Sequence, residues 1–217
     1  MIRYRTDKGG KATTPRIPGV SARTAPVSVR LAYFFTRRAL SRLAGRSPEG
    51  MLAPLELYAH LPGLLRAYGT LEQATAKLDR LPRRLKGLAW LKTATVSHCE
   101  YCIDLGSQVA RVWGVSDSEL LALPDYRSSG LFSDVEILVL DYAIAMTRTP
   151  VEVSDELFAS LRQYLDDRQL VELTHVIAME NLRGRFNLAL GVGAAGFSEG
   201  MVCAIPVTTG ETDGAEL

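Results

Sequence analysis

The stretch Arg168–Gly191, RQLVELTHVIAMENLRGRFNLALG, decides the fold class. It contains no proline, and Asp166-x-x-Gln169 opens it with the spacing of a capping box, in which two side chains satisfy backbone N–H groups of a first helical turn. Its apolar residues Leu170, Val171, Leu173, Val176, Ile177, Met179, Leu182, Phe186, Leu188 and Leu190 point around most of the circumference, which predicts a long helix at the centre of the fold. At about 100° per residue, Glu180, Arg183 and Asn187 fall within a sector of roughly 60°. Three polar groups thus share one stripe of a helix that is expected to be buried. On one reading Glu180 and Arg183 form an internal ion pair, capped by Asn187, that orders helix contacts. On the other, the stripe faces an active pocket and Glu180 supplies an acid.

Helical patterning continues outward from this segment. It covers about 27–44, 51–59, 61–78, 82–97, 99–114, 117–123, 134–148 and 155–165, ahead of 168–191. Ser116-x-x-Glu119 and Ser133-x-x-Glu136 repeat the capping-box spacing. Pro48, Pro62, Pro82, Pro124 and Pro150 fall in gaps or first turns, where a missing N–H does least harm. No run of alternating β-branched residues competes, so an all-α helical bundle is expected. The domain should span 27–204, preceded by an extended basic arm over 1–26 and followed by a polar, acidic, disordered tail over 205–217.

A chain of 217 residues that is 47% hydrophobic can bury one sizeable core. Its formal charge is only +1, but the first fifty residues are strongly basic and the remainder acidic. Such an arm can seek phosphate or anionic lipid, or lie across an acidic surface of its own oligomer, and the second use is preferred. Met1–Val20 lacks the apolar core of a secretory signal. Val27–Leu43 is interrupted by Arg30, Arg37, Arg38 and Arg42, well short of the roughly 20 apolar residues of a membrane span. A cytoplasmic protein without a membrane partner is expected, and nucleic-acid contact is the weaker use of the arm. Three cysteines, two of them adjacent on a helix, fit a reducing compartment better than a disulfide framework.

Those two cysteines lie in Thr95–Asp104, TVSHCEYCID. With a helix starting near Cys99, the sulfurs of Cys99 and Cys102 occupy one face on consecutive turns, within reach of a disulfide. Unpaired N–H groups and the positive end of the helix dipole favour a thiolate there. A thiolate beside a second thiol can be oxidised to a sulfenic acid and resolved as a disulfide. Two cysteines at helical spacing can equally be inert core residues. Zinc would need about four ligands, and Cys203, His60, His98 and His175 stand at no zinc-site spacing, so no metal and no cofactor are expected. His98 is a candidate base by adjacency to Cys99, whereas His60 and His175 read as ordinary histidines. Tyr101 can hydrogen-bond a bound oxygen or pack in the core.

The run Leu88–Leu105 around Cys99-Glu100-Tyr101-Cys102, with the helical segments 133–148 and 168–191, resembles the carboxymuconolactone decarboxylase family and, within it, the alkylhydroperoxidase-D-like branch. The likeness covers roughly residues 45 to 195. It implies an all-α fold assembled as trimers or hexamers, with the cysteine pair near a subunit interface. It implies that Cys102 attacks a hydroperoxide and Cys99 resolves the product, with a dithiol protein or small thiol as reducing partner. The branch's glutamate twelve residues before the first cysteine is Gly87 here, its histidine four residues after the second is Gly106, and the histidine often found just before the second cysteine is Tyr101. General-base help is typically worth roughly 10²–10⁴ in rate, so a weak peroxidase is expected, with Glu180 first and His98 second as substitutes. The two glycines also leave room for a larger ligand. The decarboxylase branch normally lacks the cysteine pair, and no matching catalytic histidine stands here. A redox-sensing or ligand-binding module without turnover is the alternative function.

Overall fold

Local signals and tertiary packing agree over most of the chain. The computed structural model describes residues 4–6 and 14–206. Helices α1 (Val27–Ala44), α2 (Ala53–Tyr58), α3 (Pro62–Ala76), α4 (Arg83–Val96), α5 (Glu100–Val112), α6 (Asp117–Ala122), α7 (Asp134–Thr147), α8 (Asp155–Leu161) and α9 (Asp167–Leu190) follow one another, with a 3-10 turn at Glu49–Leu52. All three capping boxes form, at Ser116/Glu119, Ser133/Glu136 and Asp166/Gln169. Helices α1 and α9 stop at Gly45 and Gly191, whose positive φ of 68° and 72° turns the backbone out of the helix at little steric cost.

Helix α4 is shared between two apolar cores. Leu88, Leu91 and Ala94 join α5 and the N-terminal helices in one cluster, whereas Leu85 and Ala89 join Val139, Leu161, Leu173 and Ile177 of α7 to α9 in the other. The turn before α4 is tied to α9 by Glu172, which accepts the N–H groups of Arg80 and Leu81 at 2.8 and 3.1 Å and Lys86 Nζ at 2.8 Å.

The expectation that α9 is central is corrected. Val171 is 71% exposed, and Leu182 and Leu188 are exposed as well, so α9 has a solvent face. The helix buried continuously is α5, from Tyr101 to Ala110. Its polar residues disguised this. Asp104 accepts the N–H groups of Ala195, Gly196, Phe197 and Ser198, Ser107 Oγ accepts that of Ala204, and Gln108 Nε2 donates to Phe197 O. These groups are buried because a distant segment of the chain satisfies them.

The fold is all-α as expected, with one short two-stranded antiparallel ribbon beside the helices: β1 (Tyr4–Thr6) pairs with β2 (Val202–Pro206). Each strand is too short to be read locally, and its partner lies at the other end of the chain. Between 14 and 26 the chain lies on its own helices and turns after Ser21, whose carbonyl accepts the N–H groups of Thr24 and Ala25. Arg16 N–H donates to Leu190 O at 2.8 Å, Val20 N–H to Glu56 O at 2.9 Å, and the Tyr33 hydroxyl to Val20 O at 2.9 Å. The rest of the arm apart from β1, and the expected acidic tail beyond Pro206, lie outside the described residues. Among the described residues no helix is long and apolar enough to cross a membrane.

Candidate active site

The turn from α4 into α5 places the cysteines. Cys99 N–H reaches back to Ala94 O at 3.2 Å, and His98 between the helices takes a left-handed φ of 56°. Cys99 then caps α5, its Sγ accepting the Cys102 N–H at 3.3 Å. The two sulfurs are bonded, with α-carbons 5.2 Å apart. Cys99 is 0% and Cys102 3% exposed, and only Cys102 lines the adjoining cavity. Helix α9 passes close behind at Gly184, where a Cβ would stand 3.2 Å from Ser97 Oγ and 3.7 Å from Cys99 Cβ. One turn further, Asn187 Nδ2 points at both sulfurs, 3.6 Å from Cys102 and 3.8 Å from Cys99.

The cavity encloses about 470 Å³ among α1, α2, α3, α4, α5 and α9. Tyr68, Tyr58 and Phe186 form a stacked aromatic wall, with centroid spacings of 4.5 and 4.0 Å. Its charged group is a triad. Arg183 donates through Nε and Nη2 to Glu72 at 2.8 and 2.6 Å and through Nη1 to Glu180 at 3.1 Å, and its guanidinium lies 5.0 Å from the Trp90 ring centroid. Burial raises the Glu180 carboxyl from 4.5 to about 7, although Arg183 opposes the shift. Burial works in the same sense on Glu72, but the two bonds from Arg183 prevail and hold that carboxyl below its ordinary value. The Trp90 N–H is near enough to favour a charged Glu180, although the two groups are outside hydrogen-bond geometry.

Glu180 therefore gives stability a pH dependence of defined sign. Between 4.5 and about 7 the folded chain holds a proton that the unfolded chain has lost. Stability from this group falls as pH rises through that window. Glu180→Gln removes the uptake, so urea unfolding should show the variant gaining on the wild type between about pH 5 and about pH 8. A difference that stays constant across the range would refute the assignment.

The structure places Cys102 and Glu180 on the wall of one cavity, with Cys99 bonded behind Cys102, and leaves His98 out of it. The left-handed backbone at residue 98 turns the chain into α5 and leaves the imidazole exposed, so His98 does not stand among the cavity-lining groups. Tyr101 lines the cavity, but its hydroxyl donates to Met51 O at 2.6 Å. His60 lies against Pro18 O and His175 against Thr75 Oγ1, each at 2.8 Å. Asn187 does not cap the ion pair as expected. It serves the sulfurs, while Glu72 of α3 completes the triad. Neither Glu72 nor Trp90 belongs to any motif.

Nor do the two glycines leave room for a ligand. A Cβ at Gly87 would stand 3.3 Å from both Ala110 Cα and Trp113 Cε3, and one at Gly106 would stand 3.5 Å from Trp90 Nε1 and Leu91 Cδ1. Two indoles occupy the space where the resemblance places a glutamate and a histidine. That pairing of glycines with tryptophans is the signal that could have found Trp90. Gly87→Ala should cost about 1–3 kcal/mol, because the backbone of α5 must give way. Gly106→Ala meets only ordinary contacts and should stabilise by up to about 1 kcal/mol through helix propensity. Thermal unfolding of the two variants checks this, and a stabilised Gly87→Ala would contradict it.

Residues 62–145 match the carboxymuconolactone decarboxylase family. Over 161 residues the chain is 37% identical to the uncharacterized protein YnjA of Escherichia coli, an alignment covering 72% of this chain and 84% of that one. Among solved structures, the debrominase Bmp8 in complex with 2,3,4-tribromopyrrole is similar with a TM-score of 0.69 at 20% identity, covering 88% of this chain and 94% of that chain. An alkylhydroperoxidase AhpD core protein from Ralstonia eutropha is similar with a TM-score of 0.69 at 20% identity, covering 87% and 97%. With the helical architecture and the bonded Cys99–Cys102 pair, these likenesses establish that the chain belongs to the carboxymuconolactone decarboxylase family and has its alkylhydroperoxidase-D-like fold.

Proposed function

We propose that the protein is a thiol-dependent oxidoreductase whose Cys99–Cys102 dithiol reduces an organic hydroperoxide, and that a dithiol or small-thiol partner restores the dithiol. The observation that carries this reading is the bonded sulfur pair at an apolar cavity, with Cys102 on the wall and Cys99 behind it. In the reduced protein, the first turn of α5 favours a Cys102 thiolate. Its sulfur attacks the terminal oxygen of ROOH: an S–O bond forms, the O–O bond breaks, and the departing alkoxide takes a proton to become ROH. Cys99 then attacks the Cys102 sulfur, an S–S bond forms, the S–O bond breaks, and water leaves. Two thiols and one hydroperoxide yield one disulfide, one alcohol and one water. Glu180, whose carboxyl titrates near neutrality, lies on the same cavity about 10 Å along α9 from the sulfur end, and a proton from it reaches the departing alkoxide through intervening water.

The test is one equivalent of cumene hydroperoxide added to the fully reduced protein, followed by stopped flow and intact mass. The expected result is loss of two hydrogens at the Cys99–Cys102 peptide, at a modest rate because the relay positions are Gly87 and Gly106. Thiols that stay free in excess peroxide would overturn the reading and leave the non-catalytic alternative. Exposed Leu31, Phe34 and Phe35 on α1 support self-association as well, with the trimer or hexamer implied by the resemblance as the expected state.

A further inference from the structure

Three buried polar atoms of the cavity have no hydrogen-bond partner among the described residues: Trp90 Nε1, Glu180 Oε1 and Asn187 Oδ1. Glu180 is wholly buried and Asn187 nearly so. Buried polar groups are almost always bonded, so three orphans in one cavity call for an explanation. They stand at two ends. Asn187 belongs to the sulfur end, with its Nδ2 3.6 Å from Cys102 Sγ. Glu180 lies seven residues earlier on α9, about 10 Å along the helix axis. Trp90 belongs to the Glu180 end, since Arg183 bridges them, bonding Glu180 at 3.1 Å and lying 5.0 Å from the Trp90 ring centroid. The stacked Tyr58, Tyr68 and Phe186 form an apolar aromatic wall of the same cavity.

Charge narrows the choice of ligand. Arg183 is already engaged by Glu72 through two bonds and by Glu180 through one. Among the described residues the cavity therefore offers an anion no uncommitted cation, and a ligand carboxylate would meet Glu180. At the Glu180 end, Oε1 needs a donor and Trp90 N–H needs an acceptor, and a hydroxyl group meets both requirements at once. An ether meets only the second.

We propose that the cavity takes an uncharged hydroxylated aromatic molecule, its hydroxyl docked between Glu180 and Trp90 and its other end directed to Cys102, with Trp90 as the donor to the ligand oxygen and Glu180 as the group that selects a hydroxyl. The Trp90 indole lies against Gly106, at the position where the resemblance places a histidine. The inference goes beyond the oxidoreductase reading, adds no chemical step at Cys102, and its test uses no redox step.

Calorimetry on the disulfide form at about pH 8, above the range in which Glu180 holds its proton, compares 2-naphthol, 2-methoxynaphthalene and 2-naphthoate. The expected result is that 2-naphthol binds about tenfold or more tightly than the ether, the scale of one satisfied buried hydrogen bond, and that the carboxylate does not compete. Trp90→Phe should weaken naphthol and its ether alike, by about tenfold, and leave their ratio in place, because both accept the Trp90 N–H. If that variant fails to fold, the wild type still decides: bound naphthol should shift the Trp90 indole N–H resonance in a nitrogen-proton NMR spectrum and leave that of Trp113 in place. Equal affinity for naphthol and its ether, preference for naphthoate, or a Trp90 resonance unmoved by bound naphthol would each overturn the inference. Naphthol selectivity in a protein that leaves cumene hydroperoxide intact would overturn the oxidoreductase reading alone. Peroxide reduction without naphthol selectivity would overturn this inference alone.

Discussion

Replacing Cys102 by serine should lower the rate of hydroperoxide consumption by roughly 10³ or more, the scale of losing a nucleophile. Serine cannot supply an anionic nucleophile at neutral pH, and Cys99 cannot take over from its position. Cys99 is 0% exposed and is absent from the cavity wall, whereas Cys102 lines it. The companion variant should behave differently. Cys99→Ser should consume about one equivalent of peroxide and stop at a Cys102 sulfenic acid, because the attacking sulfur is intact and the resolving one is gone. Trapping with dimedone and intact mass separate the two outcomes. A sulfenic acid on Cys99 in Cys102→Ser, formed at the wild-type rate, would show the roles reversed.

Asp104→Ala should destabilise the fold by about 4 kcal/mol, the range seen when a buried charged group is removed and its partners are left unpaired. The carboxylate gathers four backbone N–H groups from one loop: Ala195, Gly196 and Phe197 on Oδ2 at 2.9, 2.7 and 2.9 Å, and Ser198 on Oδ1 at 2.6 Å. Ser198 Oγ adds a bond to Asp104 O at 2.9 Å. Alanine would leave four donors turned toward a dry helix. Asp104→Asn keeps one acceptor oxygen and should lose roughly half as much. Urea denaturation reads the difference, and equal loss in both variants would mean that charge rather than hydrogen bonding holds the loop.

The elements that were legible in the sequence carry their information locally. Ser116, Ser133 and Asp166 each begin a capping box whose partner stands three residues away, and all three helices start there. The cysteine pair was legible for the same reason, since three residues of helix bring the sulfurs together. What the sequence hid depends on distant partners. The ribbon needs Tyr4–Thr6 to meet Val202–Pro206. The burial of α5 needs Asp104 and Ser107 to be satisfied by the segment from Ala195 to Ala204, which no local pattern announces. The candidate site shows both cases. Glu180, Arg183 and Asn187 could be read as one stripe of α9, but Glu72 on α3 and Trp90 on α4 could not be joined to it before the helices were packed. The two glycines of the missing relay read as free space, and the fold fills them with indole.

The one-sided exposure of the sulfur pair would constrain the proposed cycle. Because Cys99 is sealed and Cys102 meets the cavity, a reductant would have to strike the Cys102 sulfur from the same cavity as the oxidant. On that reading the two reagents take turns, and parallel double-reciprocal plots are the expected result. An inert occupant of the cavity would block both half-reactions alike.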